Sequence, residues 1–266
     1  MKKIVFLIMG LAMINMVSAQ DKSFKIGIKL SPAVGFLKTD VGDISTNGRP
    51  LRFGYGLIFD RMFSENYALG FGLNMVEFGG HAEYTRLYSE SGSTPTVQYV
   101  KRNYSKVKYV EMPLTLKLRT AMIGKMIYWG QFGIGLGYLF SGYADEESRA
   151  DYVLSDIDPS SAENEVYVPS NGAKSFDDKL DIKNDLNPIR ASMIIAAGAE
   201  YPISGSTFLS YGITYNGGLL SMYGAGDEVV KYKDGGVAFN NDNKSPVFVD
   251  KKILLNQVQL NVGIIF

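Results

Sequence analysis

The stretch that decides the fold is YWGQFGIGLGYLF, Tyr128–Phe140. Tyr128, Phe132, Ile134, Leu136, Tyr138 and Phe140 fall on one parity, and Gln131, Gly133, Gly135 and Gly137 on the other. A period of two is the signature of a β-strand, whose successive side chains point to opposite faces. One face here is bulky and apolar and the other is almost bare. In a soluble sandwich or barrel the bulky face would turn inward. The glycines would then line the outside, where they only weaken a strand. With lipid outside, the bulky face suits the hydrocarbon, and glycine makes room in a lumen that eight strands leave just wide enough for side chains.

Seven other segments repeat the pattern, giving expected strands at 24–37, 51–61, 67–85, 104–120, 126–141, 189–202, 207–221 and 252–266. Tyr67, Leu69, Phe71, Leu73 and Met75 oppose Gly70, Gly72 and Asn74, for example. The gaps alternate in length. Those at 62–66, 121–125 and 203–206 hold five, five and four residues; those at 38–50, 86–103, 142–188 and 222–251 hold 13, 18, 47 and 30. Short turns on one rim and long loops on the other are the layout of an outer-membrane barrel. The expected fold is all-β: an eight-stranded antiparallel transmembrane β-barrel with short periplasmic turns, long external loops and both termini at the periplasmic rim.

The start, MKKIVFLIMGLAMINMVSAQ, has Lys2 and Lys3, an apolar run and small residues at Ser18 and Ala19. This predicts a secretory signal peptide over 1–19 and a single barrel domain over 20–266. Removing the two lysines leaves 25 basic residues against 27 acidic, so charge gives no reason to expect nucleic acid. With no cysteine, disulfides, thiolate metal sites and a lipidated N-terminal Cys are excluded. The predicted location is the outer membrane of a Gram-negative bacterium, in contact with lipid and lipopolysaccharide.

The C-terminal NVGIIF resembles the recognition signal of barrels handed to the outer-membrane assembly machinery, with Asn261, Gly263, Ile264 and Phe266 in the signal positions. YVEMPLTLKLR, Tyr109–Arg119, resembles the Tyr-x-Glu-x-Pro-Leu-x-x-Lys strand of the PorT-like outer-membrane β-barrel proteins of Bacteroidetes. That resemblance implies a barrel of mixed functional kinship, one member of which is linked to type IX secretion.

Parity puts Lys25, Lys29, Arg52, Asp60, Glu111, Lys117, Arg119, Arg190 and Glu200 in the lumen, with Gln131, Gln257 and Gln259. An unpaired buried charge is costly, so a paired polar plug is expected rather than a pore. Pro113 sits in mid-strand and predicts a bulge or a gap in the ladder. The 142–188 insertion carries 12 acids against four bases. It lacks the Asp-x-Asp-x-Asp-Gly spacing of a calcium loop, so no metal and no cofactor are expected. Tyr143, Tyr152, Tyr167 and Phe176 are its candidate partner anchors. The 222–251 segment reads as a flexible hairpin turning at Asp234-Gly235-Gly236.

The one histidine, His81, shares a strand face with Glu83, and a hydrolase would need a nucleophile from Ser89, Ser91 or Ser105. Three readings follow. The first is an interaction or assembly component working through its external loops, in contact with an envelope or secretion partner. The second is a structural barrel without a dedicated partner, and the third a rim lipid-modifying hydrolase using His81. The first is preferred and no enzymatic activity is expected.

Overall fold

The computed structural model describes residues 24–89, 95–156, 165–170, 172, 174–224, 226–233, 236–240 and 245–266, with backbone alone at 153–156, 165–169, 232, 233 and 236. The expected signal peptide lies outside these residues.

Eight long strands form the wall: β1 Phe24–Lys38, β2 Leu51–Met62, β3 Tyr67–Tyr88, β4 Thr96–Arg119, β5 Ile127–Asp156, β6 Ile189–Ser204, β7 Thr207–Gly218 and β8 Leu254–Ile265. Each pairs antiparallel with its neighbours in sequence, and β8 pairs with β1, closing the ring. Phe266 locks that seam from beyond the last strand, its N–H donating to the Ile26 carbonyl at 2.7 Å. Closure leaves no unpaired edge, which a backbone in lipid requires.

The outer band locates the membrane. Phe132, Ile134, Leu136, Tyr138 and Phe140 on β5 and Met112, Leu114 and Leu118 on β4 are exposed on the outside of the wall. Twelve residue steps from Tyr128 to Phe140, at about 3.3 Å each and a tilt of about 40°, rise roughly 30 Å, the depth of a hydrocarbon core. On the inside at the same level, Glu111, Thr115, Lys117, Arg190, Glu200, Gln257 and Gln259 are buried.

The expected loops are largely strand. β3, β4 and β5 hold 22, 24 and 30 residues, against about 9–11 needed to cross a bilayer. The supposed 86–103 loop is the top of the β3–β4 ladder, from Thr85↔Tyr99 up to Tyr88↔Thr96. Residues 142–156 continue β5, and Glu165–Pro169 and Lys174–Asp181 pair back onto it. Most of the described part of the 142–188 insertion is therefore sheet standing on the barrel, because the upper part of β5 finds a partner strand on both sides.

The 222–251 hairpin is also built in. Glu228–Val230 pairs with Phe248–Asp250, and Tyr232–Lys233 with Gly236–Val237; the expected turn at Asp234-Gly235 lies outside the described residues. Val229 and Val230 are fully buried, and Val229 packs into the core that fills the outer half of the barrel. This hairpin is a cap over the mouth. Its apolar residues fold down because water, not lipid, surrounds that level.

Pro113 interrupts pairing without changing register. The β3–β4 ladder runs Phe71↔Leu114, skips Gly72 and Leu73, and resumes at Asn74↔Glu111. Register shifts occur higher, between Phe78 and Gly80, between Asn103 and Lys106, and between Lys108 and Tyr109. Gly80 has φ +154° and its Cβ position lies 2.8 Å from Leu37 Cγ, so a side chain there would strike the core.

Candidate functional site

The lumen at membrane level holds two charge clusters. In the lower, Lys117 on β4 donates from Nζ to Asp60 Oδ2 at 2.7 Å and to Glu200 Oε1 at 2.8 Å. Arg119 donates to the other Glu200 oxygen. Lys25 stands at the periplasmic mouth, 4.3 Å over the Phe208 ring. In the upper, Arg190 Nη1 donates to Glu111 Oε2 at 2.6 Å and its Nη2 to Asn216 Oδ1 at 2.8 Å. Ser192 and Asn216 donate to the same Glu111 carboxylate at 3.0 and 2.8 Å. These are buried pairs held by further hydrogen bonds, the condition under which a buried ion pair holds, although the Nε of Arg119 and of Arg190 has no partner among the described residues.

Seven of the nine expected lumen residues thus join two networks or stand at their mouth. Lys29 lines the cavity between the networks without bonding to either. Arg52 departs: it slips past Gly79 and donates from Nη2 to the Tyr104 carbonyl at 3.3 Å, with Glu77 3.9 Å away. It can do so because β2 and β3 part above Tyr55↔Met75. The cavity itself has a volume of about 60 Å³, room for about two waters.

Above Glu111 the interior changes character. The Arg190 guanidinium lies 4.4 Å from the Phe78 ring centroid. From there Phe78, Tyr84, Val100, Tyr104, Val107, Tyr109 and Leu139 form an apolar core with Met222, Tyr223 and Ile253 of the cap. Outward on β4, leucine and methionine give way to Lys108, Lys106, Asn103 and Lys101. A polar island is embedded in this core. Arg102 Nε donates to Glu146 Oε2 at 2.7 Å, Arg86 Nη2 meets Glu146 Oε1 at 2.7 Å, and Tyr223 and Tyr104 share a hydroxyl contact. Lys251 Nζ stands 3.9 and 3.8 Å from the Tyr84 and Tyr223 ring centroids. Burial, reinforced by the nearby Arg102, holds that ammonium well below the ordinary lysine range.

Outside the wall, His81 packs against Gly48, so closely that a Cβ there would lie 2.1 Å from His81 Cδ2. It borders a cleft of about 390 Å³ with Asn47, Glu83, Lys101, Asn103, Asp145, Glu147 and Phe176. Glu83 accepts from the Tyr99 hydroxyl at 2.5 Å and faces Lys101 Nζ at 3.7 Å. The Ser105 hydroxyl donates to the Tyr143 carbonyl and Ser89 is not among the lining residues; Ser91 lies outside the described residues. The histidine and carboxylate come together, and no described serine joins them in the cleft. Among the described residues no group of three or more His, Cys, Asp or Glu is placed to hold a metal.

Of the candidate anchors, Phe176 is 68% and Tyr143 38% exposed. Tyr152 is turned onto the cap, edge-on to Phe239 at 5.2 Å. The Tyr167 side chain lies outside what is described. At the C-terminus Asn261 accepts from Ser31 and donates to Thr214 inside the lumen, while Phe266 stands on the lipid side.

Residues 18–223 match the family described as outer membrane protein beta-barrel domain, and the chain belongs to that family of Gram-negative outer-membrane proteins. No curated protein matches it in sequence. Among solved structures, Neisserial surface protein A is 10% identical, with 91% of this chain and 96% of that chain covered and a TM-score of 0.38. The outer membrane protein AlkL is 12% identical over 94% and 93%, with a TM-score of 0.40. Ail of Yersinia pestis is 12% identical over 91% and 98%, with a TM-score of 0.32.

Proposed function

We propose that this protein is an envelope interaction component that works through its outer sheet rather than its lumen. One observation carries the reading: the long strands β3–β5 raise a paired, stiff surface above the membrane, displaying Tyr143 and Phe176 beside the His81 cleft. The lumen is packed at both levels. Exposed aromatics on a rigid scaffold are the residues that anchor protein partners. The Tyr109–Arg119 motif supports PorT-like membership and a partner in secretion or surface assembly, and the start of the chain supports export with cleavage after Ala19.

The test is purification from native outer membranes in mild detergent. An envelope protein retained in fixed proportion by the wild type and lost from a Tyr143→Ser/Phe176→Ser variant is the expected result. A lone, heat-modifiable monomer in both cases would leave the structural-barrel reading, which the two buried ion networks favour. A hydrolase reading requires lipid or peptide cleavage that disappears in His81→Ala. Large single-channel steps in planar bilayers would contradict a sealed lumen.

A further inference from the structure

The charges inside the membrane-level lumen do not balance. Asp60, Glu111 and Glu200 face Lys29, Lys117, Arg119 and Arg190, with Lys25 a fifth cation at the mouth. Lys117, Arg119 and Arg190 take the three carboxylates. Lys29 is left over: among the described residues its ammonium has neither a hydrogen bond nor an ion pair within reach, and Glu111 and Asp60 act on it only at a distance.

The surroundings of Lys29 are made roomy. Its ladder partners are Gly56 on β2 and Gly263 on β8. A Cβ on Gly56 would fall 2.2 Å from Asn74 Oδ1, and one on Gly263 would fall 3.1 Å from the Lys29 Cβ. The space so preserved is the cavity of about 60 Å³. Two more groups lining it are buried and unmatched: the indole N–H of Trp129, a residue 8% exposed, and the Oδ1 of Asn74, a residue 5% exposed.

Two of the donors here go without a partner. The Lys29 ammonium, the Trp129 N–H and the hydroxyls of Ser210 and Thr214 all border the cavity, and Thr214 already accepts from Asn261. Asn74 Oδ1 is the one orphan acceptor among the described lining groups. What the Lys29 ammonium and the Trp129 N–H lack is an acceptor, and what the lumen lacks is negative charge. A water supplies the first and brings two donors of its own; an anion supplies both. Asp60 and Glu111 also border the cavity, and their charge is met by Lys117 and Arg190.

We propose that this cavity is a binding site for one small monovalent anion, of halide size, held by Lys29 and the Trp129 N–H. The volume suits a single halide and leaves no room for sulfate with its hydration shell. The ion seals the lumen electrostatically, completing the pairing of charges that the ion clusters begin.

The test is chemical or thermal unfolding of the refolded full-length barrel at fixed ionic strength, exchanging gluconate for chloride. One stabilising site makes the unfolding equilibrium constant fall tenfold for each tenfold rise in chloride above its dissociation constant. Bromide should act alike and give an anomalous-scattering peak beside Lys29 in crystals. Lys29→Met should remove the chloride dependence. Identical unfolding in chloride and gluconate, with no bromide peak, would overturn the proposal in favour of water. Equal stabilisation by sulfate and gluconate would also overturn it, as a general salt effect. Should Lys29→Met fail to refold, the wild-type contrast between anions and the bromide position still decide.

Discussion

The two storeys of this barrel are opposites built from the same strands. On β4, Met112, Leu114 and Leu118 face out while Thr115 and Lys117 face in; a few residues higher, Lys101 and Lys106 face out while Val100, Tyr104 and Val107 face in. The same two strands stay paired through the change, with one gap at Pro113 and one register shift between Phe78 and Gly80. What differs is the solvent. Lipid below rewards apolar side chains outside and leaves the inside to polar groups that satisfy one another. Water above rewards the reverse. The Arg190–Phe78 contact is where one regime hands over to the other.

The largest break in that contrast should come from the lower storey. Glu111→Ala leaves Arg190 buried without its carboxylate and should destabilise the barrel by about 3–5 kcal/mol in urea-driven unfolding from lipid vesicles. A Glu111→Leu/Arg190→Met pair should recover most of it. In the upper storey, Tyr104→Ala empties a fully buried site and should cost roughly 3 kcal/mol. Its signature should be local: protease nicking within 219–253 while the membrane ring stays heat-modifiable.

The outer faces offer a sharper contrast. Leu114→Lys places a charge near mid-membrane and should cost about 2–4 kcal/mol. Lys101→Leu, on the exterior of the same strand above the membrane, should stay within about 0.5 kcal/mol. The smallest expected effect is on pH. Burial lowers the Lys251 pKa in the folded cap below its ordinary value of 10.5. Between the two values the unfolded cap binds more protons, so cap stability should rise with pH across that interval and level off above about 10.5. Amide exchange at Val229 and Val230 would read it. Arg86, Arg102, Glu146, Asp227 and the Tyr84 and Tyr223 phenols are the groups acting on Lys251, and Lys251→Met should flatten the slope.

Much of the lower storey was legible beforehand. Lys29 on β1 and Gln131 on β5, which parity assigns to the lumen, line the cavity there, and the glycine face of Tyr128–Phe140 is the lumen face. Arg102 and Glu146 were not legible, for a geometric reason. On β4 the inward residues are odd-numbered up to Val107 and even-numbered from Tyr104, because the shift between Asn103 and Lys106 moves the register. On β5 they switch likewise, from Leu139 to Gly142. A period-two reading carried past such a point assigns every later side chain to the wrong face.

Alternation, turn lengths and the band of aromatics and aliphatics were sufficient to determine the eight-strand ring and its polar interior, since each depends on residues near one another in sequence and on a single solvent. The outer storey was decided by the tertiary structure alone. Whether 142–188 is loop or sheet depends on which strand edge it meets. Whether Tyr223 and Lys251 are surface or core depends on a cap folding back onto β3–β5. Lys29 is left without a partner only because three other cations, from β4 and β6, reach the carboxylates first. That is a competition across the barrel that no local pattern records.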